Sequence, residues 1–165
     1  MPILGTVGND RLEGTPGSDI IYGLGGNDTI YGYAGDDVLD GGTGADIMVG
    51  GLGDDSFYVD NINDSVVEVA GEGYDQAYSS ISYSLAGRDI EKLTLTGMAH
   101  TNAFGNGLNN FLIGNGGNNI LDGGFGDDRL DGGAGNDVLI GGYGNNVLIG
   151  GSGNDSYYIT PYSKN

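Results

Sequence analysis

The chain has no cysteine, no tryptophan, one histidine, three prolines and five basic residues among 165. Without cysteine there are no disulfides, no zinc–thiolate sites and no thiol catalysis, although the compartment is left open. The lone His100, in "TGMAHTN", cannot complete an HExxH metal pair, and no GxSxG nucleophile elbow is present. It reads as a loop residue. Five bases against 23 acids leave a net charge of −18, which repels nucleic acid and anionic membranes and attracts cations. No apolar run approaches the roughly 20 residues needed to span a bilayer. The start, "MPILGTVGND", lacks the basic-then-apolar order of a cleavable signal. Glutamate is also scarce, with four Glu against 19 Asp. Aspartate suits tight turns because its short side chain bonds nearby backbone, so the acidity belongs to turns.

What the chain does have is glycine, 36 of them, on a nine-residue period. From Gly5 it divides into "GTVGNDRLE", "GTPGSDIIY", "GLGGNDTIY", "GYAGDDVLD", "GGTGADIMV" and "GGLGDDSFY". From Gly105 it divides again into "GNGLNNFLI", "GNGGNNILD", "GGFGDDRLD", "GGAGNDVLI", "GGYGNNVLI" and "GGSGNDSYY". Position 1 is Gly in all twelve, position 4 is Gly except at Leu108, and position 8 is apolar or aromatic from Leu12 to Tyr157. Nine residues are too few for a helical hairpin, glycine this frequent disfavours helix, and the three-residue period of collagen is absent. The pattern predicts a six-residue turn followed by a three-residue strand with its middle side chain inward. Two repeats then make one flattened coil of 18 residues. The fold class is all-β, a parallel β-roll (a right-handed β-solenoid) with a thin core of position-8 side chains.

Residues 59–104 lose the period. "DQAYSSISYSL" alternates like one half-buried strand, with Ala77, Ser79, Ile81, Tyr83 and Leu85 inward, and "SVVEV" and "IEKLTLTG" give two more strand signals. The expected organisation is a first block over 1–58, wider metal-free bridging coils over 59–104, and a second block over 105–165, as one continuous solenoid.

Parallel strands stack about 4.8 Å apart, so position 6 of each turn faces position 6 two repeats along. This pairs Asp10 with Asp28, Asp28 with Asp46, Asp19 with Asp37 and Asp37 with Asp55. In the second block it pairs Asn110 with Asp128, Asp128 with Asn146, Asn119 with Asp137 and Asp137 with Asp155. Carboxylates so close resist joint ionisation unless a cation lies between them. Calcium takes oxygen ligands at roughly 2.4 Å and fits that spacing, while magnesium demands a smaller octahedron and zinc or copper would want His or Cys. The candidate ligands are these twelve side chains, with backbone carbonyls of the turns around Gly8, Gly17, Gly26, Gly35, Gly44, Gly53, Gly126, Gly135, Gly144 and Gly153. The amide repeats bring no charge, so the pairs containing Asn110, Asn119 or Asn146 are expected to bind weakly. No segment has the ligand spacing of an EF-hand, and the Gly-x-Gly strings lack a following helix to receive phosphate.

"GGLGDDSFY" and "GGAGNDVLI" resemble the nonapeptide of the RTX (repeats-in-toxin, haemolysin-type) secreted proteins, over residues 5–58 and 105–158. "GEGYDQAYSSISYSL" and "IEKLTLTG" resemble a unit found between repeat blocks in large bacterial calcium-binding exoproteins. The resemblance implies a parallel β-roll, several Ca2+ ions between stacked turns, and type I secretion through an uncleaved C-terminal signal. Only "ITPYSKN" follows the last repeat, shorter than such a signal, so a fragment or excised domain is expected.

The resulting expectation is a non-enzymatic, extracellular calcium-binding module that folds on meeting calcium after export. It would be a monomer or part of a larger chain, with calcium as its partner and neither nucleic acid nor a membrane span. Two alternatives stand beside it. One is an adhesin or matrix module binding extracellular polysaccharide through Tyr22, Tyr31 and Tyr58; the other is an accessory domain of a secreted hydrolase or polysaccharide-modifying enzyme.

Overall fold

The computed structural model describes residues 1–159; residues 160–165, most of the "ITPYSKN" tail, lie outside the described residues. The chain forms two compact units, Met1–Tyr78 and Ser79–Asn165. Among the described residues every regular element is a strand, and no helix is long and apolar enough to cross a membrane.

In the first unit the strands are β1 (Ile3–Leu4), β2 (Arg11–Glu13), β3 (Ile20–Tyr22), β4 (Thr29–Ala34), β5 (Val38–Asp40), β6 (Ile47–Leu52), β7 (Ser56–Val59), β8 (Ser65–Val67) and β9 (Gln76–Ser79), the last ending on the boundary. Alternate strands pair, so β1, β3, β5, β7 and β9 line one face and β2, β4, β6 and β8 the other. The pairs among β1 to β8 are parallel, with an offset of 18 residues: Ile21 lies beside Leu39, Leu39 beside Phe57, and Ile30 beside Met48. The second unit repeats the plan, except that its first pairs are offset by 20 residues (Tyr83 beside Ala103) and 19 (Lys92 beside Phe111). Strands β11 (Lys92–Leu95), β13 (Phe111–Ile113), β15 (Arg129–Asp131) and β17 (Val147–Ile149) form one face. The other is formed by β10 (Tyr83–Ser84), β12 (Ala103–Phe104), β14 (Ile120–Asp122), β16 (Val138–Ile140) and β18 (Ser156–Tyr158). Each unit is a parallel β-roll.

The period explains the core. Position 8 is the middle of each three-residue strand, and its side chain points between the two sheets. Ile21, Ile30, Leu39, Met48 and Phe57 are fully buried in the first unit, as are Leu112, Leu121, Leu130 and Leu139 in the second. Burial of each such side chain contributes about 1.5–3 kcal/mol. The column fails only at its ends. Leu12 and Leu148 are half-buried, and Tyr157 is exposed because β18 is the last described strand.

The bridge expected over 59–104 is shared between the two units. Residues 59–78 complete the first roll through β8, which pairs with β6, and β9, which pairs with β7. Residues 79–104 open the second through β10, β11 and β12. Of the five residues expected inward from Ala77 to Leu85, Ala77, Ser79, Tyr83 and Leu85 are buried, while Ile81 is only half-buried where the strand is interrupted. The single strand expected there is instead two, β9 and β10, interrupted at Ser80–Ser82.

Candidate metal centre

Position 6 occupies the end of each turn, and the structure places it in the two-repeat register that the sequence predicts. The groups meet differently, however. Within the blocks the backbone N–H of a position-6 residue donates to the side chain of the one 18 residues later, and the contact is not carboxylate to carboxylate. Asp10 N–H donates to Asp28 Oδ1, Asp19 to Asp37, Asp28 to Asp46 and Asp37 to Asp55, at 2.7–2.8 Å. In the second unit Asn110 N–H reaches Asp128, Asn119 reaches Asp137, Asp128 reaches Asn146, and Asp137 reaches Asp155, at 2.8–2.9 Å. All twelve predicted side chains therefore sit in columns joined by these bonds.

One oxygen of Asp28, Asp37, Asp46, Asp55, Asp128, Asp137 and Asp155 is thus engaged, and the surroundings of Oδ2, or of the amide that replaces the acid, distinguish three kinds of turn. At the start of the first unit Thr6 and Thr15 give both N–H and hydroxyl to Asp10 Oδ2 and Asp19 Oδ2, at 2.6–2.8 Å. In the first repeats of the second unit asparagine replaces the acid. Asn110 and Asn119 accept from the N–H of Asn106 and Asn115, and their amide nitrogens donate to carbonyls of Ile90 and Thr101. These turns close without a cation. Between them lie Asp28, Asp37, Asp46, Asp55, Asp128 and Asp137, whose Oδ2 atoms are buried and make no hydrogen bond. A buried carboxylate oxygen with no donor costs several kcal/mol unless a positive charge compensates it.

The neighbours of these oxygens are backbone. A Cβ built on Gly23 would collide with Asp28 Oδ2 and with the carbonyl oxygen of Gly41, and one on Gly32 with Asp37 Oδ2 and the Gly50 carbonyl. Position 1 is therefore glycine for space, since neither Gly23 nor Gly32 needs a left-handed conformation. The carbonyls brought toward the bare oxygens are those of position-1 glycines. Within the turns around position 4, the glycine carbonyls of that position stack turn on turn, Gly26 O against Gly44 and Gly35 O against Gly53.

Burial pushes Asp37, Asp46, Asp55, Asp128 and Asp137 up, and it is the leading cause, ahead of repulsion between neighbours. Asp46 and Asp128 rise to about 6 and Asp55 to about 7, while Asp37 and Asp137 are raised as well. In each case the N–H received from the coil below opposes the shift without cancelling it.

Sequence reasoning missed two features. Position 5 forms a second ladder running the opposite way, its side-chain oxygen accepting the N–H of the residue 18 positions later, as in Asn27 to Asn9, Asp54 to Asp36 and Asn136 to Asn118. His100 caps this ladder, its Nδ1 accepting the Asn118 N–H at 2.7 Å. The acids also continue beyond the repeats. Asp46 N–H donates to Asp64 and Asp55 N–H to Asp75. Asp64 was findable, because it lies nine residues beyond Asp55. Among the tyrosines offered for sugar contact, Tyr58 stacks on Tyr78 at 5.0 Å and Tyr31 lies under the Arg11 guanidinium at 4.3 Å, so protein neighbours already cover part of these rings.

The site is thus a row of buried anionic oxygens beside backbone carbonyls, a hard donor set without nitrogen or sulfur that suits calcium. A family model described as the RTX calcium-binding nonapeptide repeat (4 copies) matches residues 4–39, 22–57, 31–65, 104–139 and 132–158. Among curated proteins none matches the chain.

Proposed function

The chain belongs to the RTX calcium-binding nonapeptide-repeat family, and on that premise we propose that it is the calcium-binding β-roll module of a secreted bacterial protein, folding when it meets calcium after export. The observation carrying this reading is the row of six buried, unpartnered Oδ2 atoms. Asp28, Asp37, Asp46, Asp55, Asp128 and Asp137 would hold the ions, with position-1 carbonyls beside them. Asp10, Asp19 and Asp155 lend support at the column ends. Bound calcium supplies the positive charge that lets these acids stay buried and ionised.

The rest of the chain supports a calcium switch. Glycine-rich backbone loses much entropy on folding, and a core of one side chain per repeat offsets only part of it. A net charge of −18 adds self-repulsion. Ions that bind only the native state then decide the balance. The module has a binding and folding role, not an enzymatic one. Far-UV circular dichroism of the full chain should show little β-structure in EGTA and a cooperative gain on calcium titration, with magnesium ineffective. A fully folded spectrum in EGTA would refute the switch.

Asn146 is a weak point in this scheme. Its Oδ1 must accept the Asp128 N–H, so its amide nitrogen takes the place facing Gly141 where other turns present a bare oxygen. Asn146→Asp should add one ion and lower the calcium midpoint several-fold, since affinity follows ligand charge. Isothermal titration of the full chain with and without the substitution tests this. An unchanged count and midpoint would mean that the amide is not what limits this turn.

A further inference from the structure

At the end of the first unit the pattern of the column changes. Around Gly23 and Gly32 the group opposite the bare aspartate oxygen is a neutral glycine carbonyl. Residue 68 takes the corresponding place above Gly50, and it is a glutamate. A Cβ on Gly50 would collide with Glu68 Oε1 and Asp55 Oδ2 together. Glu68 Oε1 accepts the Gly50 N–H at 3.1 Å, Asp75 Oδ1 accepts the Asp55 N–H at 2.8 Å, and Asp55 Oδ1 accepts the Asp37 N–H at 2.7 Å. Asp55 Oδ2 and Glu68 Oε2 are buried and make no hydrogen bond, and Asp55 is only 1% exposed. One oxygen from each of Asp55, Glu68 and Asp75 lies within 4.8 Å of the other two.

We propose that Asp55, Glu68 and Asp75 form a calcium site of a different kind from those of the repeats, with three carboxylates where a repeat turn offers fewer. Glu68 and Asp75 lie outside every segment matched to the repeat family, so two of the three carboxylates are added to the nonapeptide's Asp55 from beyond the repeats. The proposal takes only the identity of the ion from the reading above. A donor set of oxygens alone selects a hard cation, and magnesium, reluctant to give up its water, fits a protein cage poorly. Affinity in oxygen cages rises with ligand charge, so this site fills first and fastens the last coils of its unit before the repeats load.

The test is isothermal titration of the full chain with calcium alone, comparing the parent with Glu68→Gln and Asp75→Asn. Both substitutions keep the oxygen that accepts a backbone N–H. Each should remove one ion from the count, eliminate the tightest phase or weaken it at least ten-fold, and leave the remaining ions in place. A merely structural role for Glu68 would leave the count intact, and an unchanged count and tightest phase in both variants would overturn the proposal. Should Glu68→Gln fail to fold in saturating calcium, Asp75→Asn carries the same readout alone. Failure of the repeat reading looks different: the parent would bind one ion, and Glu68→Gln would bind none.

Discussion

Gly44→Ala should cripple the first roll, while Gly17→Ala, at the same motif position, should leave it unharmed. Gly44 has φ of +150°, and a Cβ there would fall on the carbonyl oxygen of Gly26 in the neighbouring coil. Strain at a conformation reserved for glycine costs about 1–3 kcal/mol, and forcing an atom into closed packing costs about 1–3 more. The sum is a large part of the stability of an ordinary domain, about 5–15 kcal/mol. Gly17 has no left-handed backbone, and a Cβ there meets nothing within 4 Å. Alanine at 17 restricts the unfolded chain and should be neutral or stabilising by up to about 1 kcal/mol. Urea unfolding of both variants in saturating calcium measures the difference. Equal midpoints would show that position 4 is not stacked as described.

The second large effect concerns protons. Without calcium, acid should stabilise the rolls. Asp46 and Asp128 sit at about 6, Asp55 at about 7 and Glu68 at about 8, all raised by burial from ordinary values near 4. A folded pKa above the unfolded one means that the folded state binds the proton more tightly. The resulting stabilisation is complete below the unfolded values and is lost as pH rises through 6 to 8. In chelator, the β-structure present should therefore be greater at pH 5 than at pH 8, where the chain is largely unfolded. With saturating calcium the sign should reverse, because protons and calcium compete for the same oxygens. Far-UV circular dichroism across this range, with and without calcium, decides the matter. Chelated β-structure that grows with pH would contradict the burial of these acids.

Much of this architecture is legible in the sequence because it follows from counting. Position 8 marks the core from Ile21 to Leu139, and position 6 marks columns whose partners stand two repeats apart. Counting does not reveal which oxygen of Asp28 is engaged, because that depends on where the neighbouring N–H points. It does not say which carbonyl of a turn faces the acid, for a related reason. Glycine at position 4 signals a turn conformation and tight stacking, whereas glycine at position 1 marks the space where the acid meets backbone. Glu68 and Asp75 escape because residues 59–67 contain no glycine and two extra residues separate Asp64 from Asp75, so the period that would flag them has lapsed. The position-5 ladder was open to inspection, since Asn, Ser or Asp fills that place in every repeat but the one with Ala45.

The spacing of 18 residues between bonded coils within the repeat blocks has a genetic meaning. A tandem duplication of eighteen codons within a block inserts a coil whose every donor finds an acceptor, so the gene can lengthen by copying itself without inventing new contacts. A duplication of nine codons keeps the spacing but exchanges the two columns downstream, and an acid that faced an acid can then face an amide. Slippage by any other length throws later residues off their partners, unless it falls where the period has already lapsed, as between Asp64 and Asp75. Recombination among near-identical repeats would therefore change the number and strength of the ion sites in discrete steps, giving descendants that differ in calcium threshold while keeping the same coil.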